Sequence, residues 1–217
     1  MNIISIKTES NGAGRRIELS DGSFFSFLCC YLPPAFDEGI YASEICEGRS
    51  VSGDEEEALR FASACMRAEK TALRLIARAE QSSAGLSRKL EKRGHDRSCV
   101  QRVLFRLQEL MLVDDRRFVR LWLESRISRR GDSPRRLLAS LCSRGIDRDL
   151  AEAGLKAALD AGTELELLRR YVKKLEKRRK YIKLINGNNA NPERFLKYHL
   201  KNEGFSSLAV EMLADSE

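Results

Sequence analysis

Leu86-x-x-x-Leu90-x-x-Arg93-Gly94-His95-Asp96, followed by Cys99, Val100, Val103 and Leu104, is the stretch whose reading decides the fold. Two leucines four apart form the buried stripe of one helix. A glycine just past its last turn takes the left-handed conformation that satisfies orphan carbonyls, and the next residue folds back onto the helix. Asp96 then caps a second helix. The same phrase recurs 51 residues on as Leu137-x-x-x-Leu141-x-x-Arg144-Gly145-Ile146-Asp147, followed by Leu150, Ala151 and Leu155. It recurs again 59 residues later as Leu196-x-x-x-Leu200-x-x-Glu203-Gly204-Phe205-Ser206, followed by Ala209, Val210 and Leu213. Each pair of helices is preceded by an amphipathic segment, which makes three three-helix units.

Apolar residues upstream of each turn set those segments. Phe61, Cys65, Ala68, Ala72 and Leu75 recur at steps of three and four, as do Val100, Val103, Leu104, Leu107 and Met111. In the second unit Phe118, Leu121, Trp122 and Ser125 are expected to share one face. Pro134 and Pro192 stand near helix starts, where a missing N–H costs little. The first thirty residues read as strands. Ile3, Ile4 and Ile6 form a short apolar stretch, and Asp21-Gly22 between Arg15–Leu19 and Ser23–Leu28 predicts a β-hairpin with a type I′ turn. Residues 35–53 read as a connector. The expected organisation is an N-terminal hairpin segment and linker over 1–53, then helical repeats over 54–114, 115–163 and 164–217. The fold class is mainly α, with tandem helix-turn-helix-like repeats in an elongated arrangement. A charged fraction of 33%, above the usual quarter, favours such surface-rich units over one thick globule.

No apolar run approaches the roughly 18 residues of a membrane span, and the first residues lack a secretory layout. A cytoplasmic location is expected. Cys29, Cys30, Cys46, Cys65, Cys99 and Cys142 contain no C-x-x-C pair. Cys65, Cys99 and Cys142 lie in helical apolar patterns, where cysteine behaves as a small hydrophobe.

The net charge of +7 is unevenly placed. Residues 1–70 hold 7 Lys and Arg against 12 Asp and Glu, so the remaining 147 carry +12. A basic body of this kind suits a polyanionic partner, either nucleic acid or an acidic protein groove. One cluster is Arg126, Arg129, Arg130, Arg135 and Arg136, with Arg144 beyond it; arginine suits bidentate pairing with phosphate or carboxylate. A second is Arg169, Arg170, Lys173, Lys174, Lys177, Arg178, Arg179, Lys180 and Lys183, opposed only by Glu176. Leu168, Val172, Leu175 and Ile182 interleave at helical spacing, so these cations form the outer face of one amphipathic helix. Nine cations in fifteen residues repel one another, a cost that partner phosphates or carboxylates offset. Tyr171, Tyr181 and Trp122 sit on apolar faces and read as core.

Catalysis finds no support in the residue pattern. His95 and His199 are the only histidines and belong to turns or apolar faces. There is no phosphate loop, and Gly12-x-Gly14 alone does not make a dinucleotide site. Asp114-Asp115 stand before a helix, where capping explains them better than metal binding. No catalytic, cofactor or metal residue is assigned.

From Ala72 to Leu159 the chain resembles the RecX family, regulators of the RecA recombinase. The matching residues run through Ala72-Leu73, Ser82, Leu86, Lys89-Leu90 and Arg93-Gly94-His95, then Val103-Leu104, Leu107 and Leu112-Val113-Asp114-Asp115-x-x-Phe118. They continue through Arg126, Gly131, Arg135-Arg136-Leu137 and Leu141-x-x-Arg144-Gly145-Ile146-Asp147 to Leu155. The family places Glu where Gly85 stands, so the helix start at Ser82 should be weaker. The resemblance implies a protein that docks in the groove of the RecA filament on single-stranded DNA, touching more than one protomer. There it would restrain strand exchange, ATP hydrolysis and co-protease activity, with direct DNA phosphate contacts open. A monomer that is not an enzyme is expected, since tandem units need no second copy and no catalytic residues are assigned. ATP and Mg²⁺ would belong to the partner, and this chain needs no cofactor. The rival reading is an independent helix-turn-helix DNA-binding regulator. Against it, helices beginning Arg97-Ser98-Cys99, Arg148-Asp149-Leu150 and Ser207-Leu208-Ala209 lack a consistent set for base edges.

Overall fold

A computed structural model describes residues 1–8, 14–33, 48–177 and 192–214. It divides into two compact units, Met1–Val113 and Asp114–Glu217. The expected mainly helical fold is present, with a small N-terminal sheet.

The N-terminal unit opens with three antiparallel strands in the order β1 (Ile3–Thr8), β2 (Gly14–Leu19) and β3 (Phe24–Leu28). The expected hairpin is β2–β3, and the expected apolar stretch at Ile3, Ile4 and Ile6 is strand β1, which pairs with β2. The turn also differs from expectation. Gly22 has φ +82° while Asp21 does not have positive φ, so this is not a type I′ turn. The loop spans Ser20, Asp21 and Gly22: Gly22 N–H donates to the Leu19 carbonyl and Leu19 N–H to the Ser23 carbonyl. The Asp21 carboxylate fastens the loop by accepting from the Ser23 N–H (3.0 Å) and hydroxyl (2.7 Å). A side-chain bond of this kind lets a non-glycine residue stay in its ordinary backbone region. Residues 48–51 run back along the free edge of β1, with Ile3 N–H donating to Arg49 and Val51 N–H to Met1. That much of the connector is structured; 34–47 lie outside the described residues.

The long helix α1 (Gly53–Ile76) begins at a capping box, in which Ser52 and Glu55 each accept from the other's backbone N–H. It packs along β3 and buries Leu59, Ala62, Cys65, Ala68 and Ala72. Behind it stand α2 (Ser83–Glu91) and α3 (Arg97–Glu109). Ser82 caps α2 through the Gly85 N–H at 3.1 Å with no reciprocal carboxylate, the one-sided start expected of a glycine there. Val100, Val103 and Leu107 are fully buried, but Met111 is not part of the stripe. It lies past the helix end with φ +55° and is 63% exposed.

The C-terminal unit comprises α4 (Asp115–Arg129), α5 (Pro134–Cys142), α6 (Arg148–Ala158), α7 (Ala161–Glu176), α8 (Pro192–Asn202) and α9 (Ser207–Ala214). Asp114 accepts from the Arg116 and Arg117 N–H groups and so is the α4 cap. The face assigned to α4 needs correction. Val119, Leu123 and Ile127 are its buried line; Phe118 and Trp122 flank it, while Leu121 and Ser125 face out. The helix carries apolar residues on both sides of that line, so steps of three and four could be counted along either side. Cys142, at the exposed end of α5, is not a core residue either; Cys65 and Cys99 are.

All three repeat turns share one geometry. Gly94, Gly145 and Gly204 have φ of +81°, +81° and +90°. In each, the residue after glycine donates to the second leucine's carbonyl at 3.3 Å, and the glycine N–H donates to the next carbonyl. This is the Schellman arrangement. Asp96, Asp147 and Ser206 then accept from the first free N–H groups of α3, α6 and α9.

The third turn adds tertiary contacts, because Glu203 replaces the arginine of the other two. The Glu203 carboxylate accepts from the buried Ser133 hydroxyl, and its carbonyl accepts from the Arg135 N–H at 3.0 Å. Ser206 donates through N–H and hydroxyl to the Glu164 carboxylate, both at 2.7 Å. The second and third helix sets are thereby joined over one core that includes Leu123, Leu137, Leu141, Leu167, Leu168, Leu200 and Phe205.

Candidate functional site

The basic surface of the C-terminal unit is built from α4, the loop after it, α5 and α7. Trp122 and Arg126 are one turn apart on α4, and Arg144 follows α5. The guanidinium of Arg126 lies 5.1 Å from the Trp122 ring centroid and that of Arg144 at 4.9 Å. Trp122 is half-buried against the core, as its apolar setting implied. Its π-face is what lets two cations converge in one place. Arg144 is further held by donating to the Ser140 carbonyl at 2.7 Å. Arg129 and Arg130 are exposed at the end of α4, and Arg135 and Arg136 are exposed on the first turn of α5.

Helix α7 sorts its cations into two rows. Leu167, Leu168 and Val172 form its buried stripe. Arg170 and Lys174 flank that stripe and, though partly exposed, are tied to neighbouring elements. Arg170 donates to the Ile127 and Ser128 carbonyls, both at 2.9 Å, and to the Glu166 carboxylate at 2.8 Å. It thus closes the C-terminal end of α4, where carbonyls lack partners and a cation is favoured. Lys174 donates to the Gly131 carbonyl at 3.2 Å and to Asp132 at 2.8 Å. Arg169, Lys173 and Lys177 lie on the opposite side, one turn apart and exposed. Arg178, Arg179, Lys180 and Lys183 lie outside the described residues.

The loop between α4 and α5 is a second anchoring point. Asp132 is 8% exposed and faces both Lys174 and Arg136, the latter at 3.8 Å. Burial alone would raise its pKa. The hydrogen bond from Lys174 and the positive charges of Lys174, Arg136 and Arg126 outweigh that, so the carboxyl sits below its ordinary 3.8. A depressed carboxylate contributes stability that is complete above the unfolded value and is lost as pH falls through the folded one. Acid unfolding of this unit should therefore steepen below pH 3.8 in the parent protein, and Asp132→Asn should flatten that limb. At neutral pH the variant should lose up to about 1 kcal/mol, because Lys174 is 41% exposed and screened. Chemical denaturation at a series of pH values measures both.

Both histidines serve the packing. His95 Nε2 lies 3.2 Å from the Thr71 hydroxyl and His199 Nε2 lies 3.3 Å from the Tyr171 hydroxyl. Among the described residues no group of three or more His, Cys, Asp or Glu is placed to hold a metal ion, and no helix is long and apolar enough to cross a membrane.

Residues 114–155, from the cap of α4 to the middle of α6, match the family model described as RecX, second three-helix domain. A protein of Treponema pallidum (strain Nichols) named regulatory protein RecX is 36% identical over 131 residues, which is 60% of this chain and 80% of that one. A protein of the same name from Mycobacterium sp. (strain JLS) is 40% identical over 108 residues, half of this chain and 58% of its own. Two solved structures share the fold. One, the crystal structure of a regulatory protein RecX, has a TM-score of 0.68 at 19% identity and covers 99% of this chain and 98% of that one. The other, of RecX from Lactobacillus salivarius, has a TM-score of 0.54 at 18% identity over 71% of this chain and 97% of its own.

Proposed function

This chain belongs to the RecX family, and from that premise we propose that it is a regulator that binds the RecA filament on single-stranded DNA and restrains its ATPase, strand-exchange and co-protease activities. The observation that carries the contact surface is the division of α7. Two of its cations are consumed in holding α4 and the loop after it, whereas Arg169, Lys173 and Lys177 make an exposed row with no hydrogen bond or ion pair among the described residues. Such a row fits acidic side chains or phosphates spaced along a filament. The exposed arginines Arg129, Arg130 and Arg135 add to it, and Arg126 and Arg144 are held ready on Trp122. Arg170, Lys174 and Arg136 act behind this surface by fixing the loop and helices that present it.

Inhibition of DNA-dependent ATP hydrolysis by the cognate recombinase tests the reading. The parent protein should reduce hydrolysis at amounts stoichiometric with its filament sites; no effect there would overturn the proposal. Arg169→Glu, Lys173→Glu and Lys177→Glu combined should weaken inhibition at least tenfold while leaving the melting temperature unchanged, since all three are exposed. If DNA phosphates are the contact, each lost pairing also lowers the slope of log affinity against log salt by about 0.7–0.9. Unchanged inhibition would remove this row from the interface. A footprint on specific duplex sites that is insensitive to recombinase would instead identify an independent DNA-binding regulator.

A further inference from the structure

We propose that the groove between α4, α6 and α7 receives a short segment of a protein partner. That segment offers an aromatic side chain with a carboxylate on one side of it and a cation on the other. The first repeat shows this mode of docking within the chain itself, and the second turns the same wall toward an open groove.

In the first repeat the wall formed by α1 and α3 is covered by the residues that follow β3. They make a 3-10 turn, Cys29–Tyr31, and Tyr31 is 3% exposed in the core of that unit. The Tyr31 hydroxyl donates to the Glu69 carboxylate, which also faces the Arg106 Nε at 3.5 Å. Arg102 donates to the Cys30 carbonyl at 3.3 Å. The ring supplies buried area, and the polar group at its tip fixes its position.

The second repeat carries the same helices 51 residues later, and the offset holds upstream of the turn as well. The buried Ala68 and Ala72 of α1 correspond to the buried Val119 and Leu123 of α4, and the cap Ser82 to Ser133. By the same count Glu69, Arg102 and Arg106 correspond to Arg120, Ala153 and Ala157. All three of these line a groove of about 1500 Å³, whose far wall is the N-terminal part of α7. Two arginines have become methyl groups, so the wall loses bulk and gains apolar surface. Its floor is a tight crossing of α4 and α6, where a Cβ on Gly154 would lie 2.4 Å from Val119 Cγ1. The volume exceeds the roughly 300–1,000 Å³ of small-molecule pockets and suits a peptide.

Charge selects the occupant. Arg120 stands where Glu69 receives the tyrosine hydroxyl, so the sign of the anchoring group is reversed. Arg116 lies one turn before it and Glu124 one turn after. All three are exposed, and their side chains have no hydrogen bond or ion pair among the described residues. The arginines favour a carboxylate, which a guanidinium can hold with two bonds, and Glu124 favours a cation. Residues four apart on a helix are about 6 Å apart along its axis, the span of two extended residues. An acidic and a basic residue on either side of one aromatic residue match that spacing. Nucleic acid fits badly, because five carboxylates and only three arginines line the groove. Of the remaining carboxylates, Asp147 and Asp160 are helix caps and Glu166 pairs with Arg170.

The experiment screens the full chain, without recombinase or DNA, against short fluorescein-labelled peptides. Each holds one tyrosine or phenylalanine, with Asp, Lys or Ser before and after it in every combination. Peptides with Asp on one side and Lys on the other should be selected, and replacing their aromatic residue by serine should abolish binding. Arg120→Glu should weaken the selected peptide roughly 10- to 150-fold, the worth of a hydrogen bond to a charged group, and turn the preference at the acidic side to Lys. Ala153→Arg, which restores the bulk that Arg102 has in the first repeat, should abolish binding. Arg120 and Ala153 are exposed, so melting temperatures should match the parent's. No selected peptide, or full binding by Ala153→Arg, would overturn the proposal. Equal selection of Ser-flanked peptides would also overturn it and leave a merely apolar groove. So would displacement of the peptide by oligothymidylate, which would point to nucleic acid, or a dimer of the parent dispersed by Ala153→Arg, which would point to a second copy. With recombinase absent, failure here leaves the filament reading untouched.

Discussion

Gly131→Ala should cost the C-terminal unit about 3 kcal/mol, the upper end of what overpacking ordinarily costs. A Cβ at this position would lie 2.7 Å from the Arg170 carbonyl carbon, 2.8 Å from its oxygen and 2.8 Å from the Tyr171 nitrogen. All three are backbone atoms in the middle of α7, so no side chain can swing away to make room. Either the loop must withdraw from α7 or the helix must bend. Withdrawal also breaks the Lys174 bonds to Gly131 and Asp132 and the Arg170 bonds to the end of α4. For a unit of this size the loss corresponds to a fall in melting temperature of roughly 12–24 °C. Gly162→Ala is the control of opposite sign. Its added Cβ meets only the Asp160 carboxylate at 3.6 Å, and alanine in a helix gains up to about 1 kcal/mol over glycine. Calorimetry of the three proteins checks both. A Gly131→Ala variant that melts with the parent would mean that α7 does not rest on this loop, and the structural role given to Arg170 and Lys174 would fall with it.

That role marks the boundary of what the sequence discloses. The helix-turn-helix phrases were legible because their causes are local: Gly94, Gly145 and Gly204 each sit in a turn that satisfies the carbonyls just before it, and Asp96, Asp147 and Ser206 each cap the helix beside them. The hairpin at Asp21-Gly22 was legible for the same reason. Its turn type was not, since it depends on whether the Asp21 carboxylate finds Ser23. The strand at Ile3, Ile4 and Ile6 was legible, but its pairing with β2 was not, since that is a long-range choice. Over residues 169–183 the composition gave nine cations, but not which of those on α7 are engaged by the rest of the protein. Arg170 and Lys174 look like Arg169 and Lys173 by composition. They differ only in lying beside the stripe of Leu167 and Tyr171, where the end of α4 happens to present carbonyls. Close approach of Gly131 to α7 has no local signature at all.

The same division between local and tertiary causes explains why the turn that departs furthest in sequence should be the most sensitive to truncation. The residue after the turn glycine is His95, Ile146 or Phe205, and each donates the same backbone bond. What their side chains meet is different. His95 is half-buried against Thr71. Phe205 is 4% exposed, with its ring 5.4 Å from that of Tyr171, in the core that also holds Leu200, Ala209 and Val210. Phe205→Ala should therefore cost about 3–5 kcal/mol, the transfer of a whole ring plus the cavity it leaves. His95→Ala should cost less than about 1 kcal/mol, as expected of a partly exposed side chain with one hydrogen bond. The single tryptophan, Trp122, packs against the Phe205 core, so its fluorescence in a urea titration reports this unit alone. The Phe205→Ala midpoint should fall sharply on that probe. His95→Ala should leave it in place, since the N-terminal core contains none of these residues. Equal small shifts for both variants would show that Phe205 only closes a helix end; a large fall for Phe205→Ala alone would place it among the residues that join the third helix set to the second.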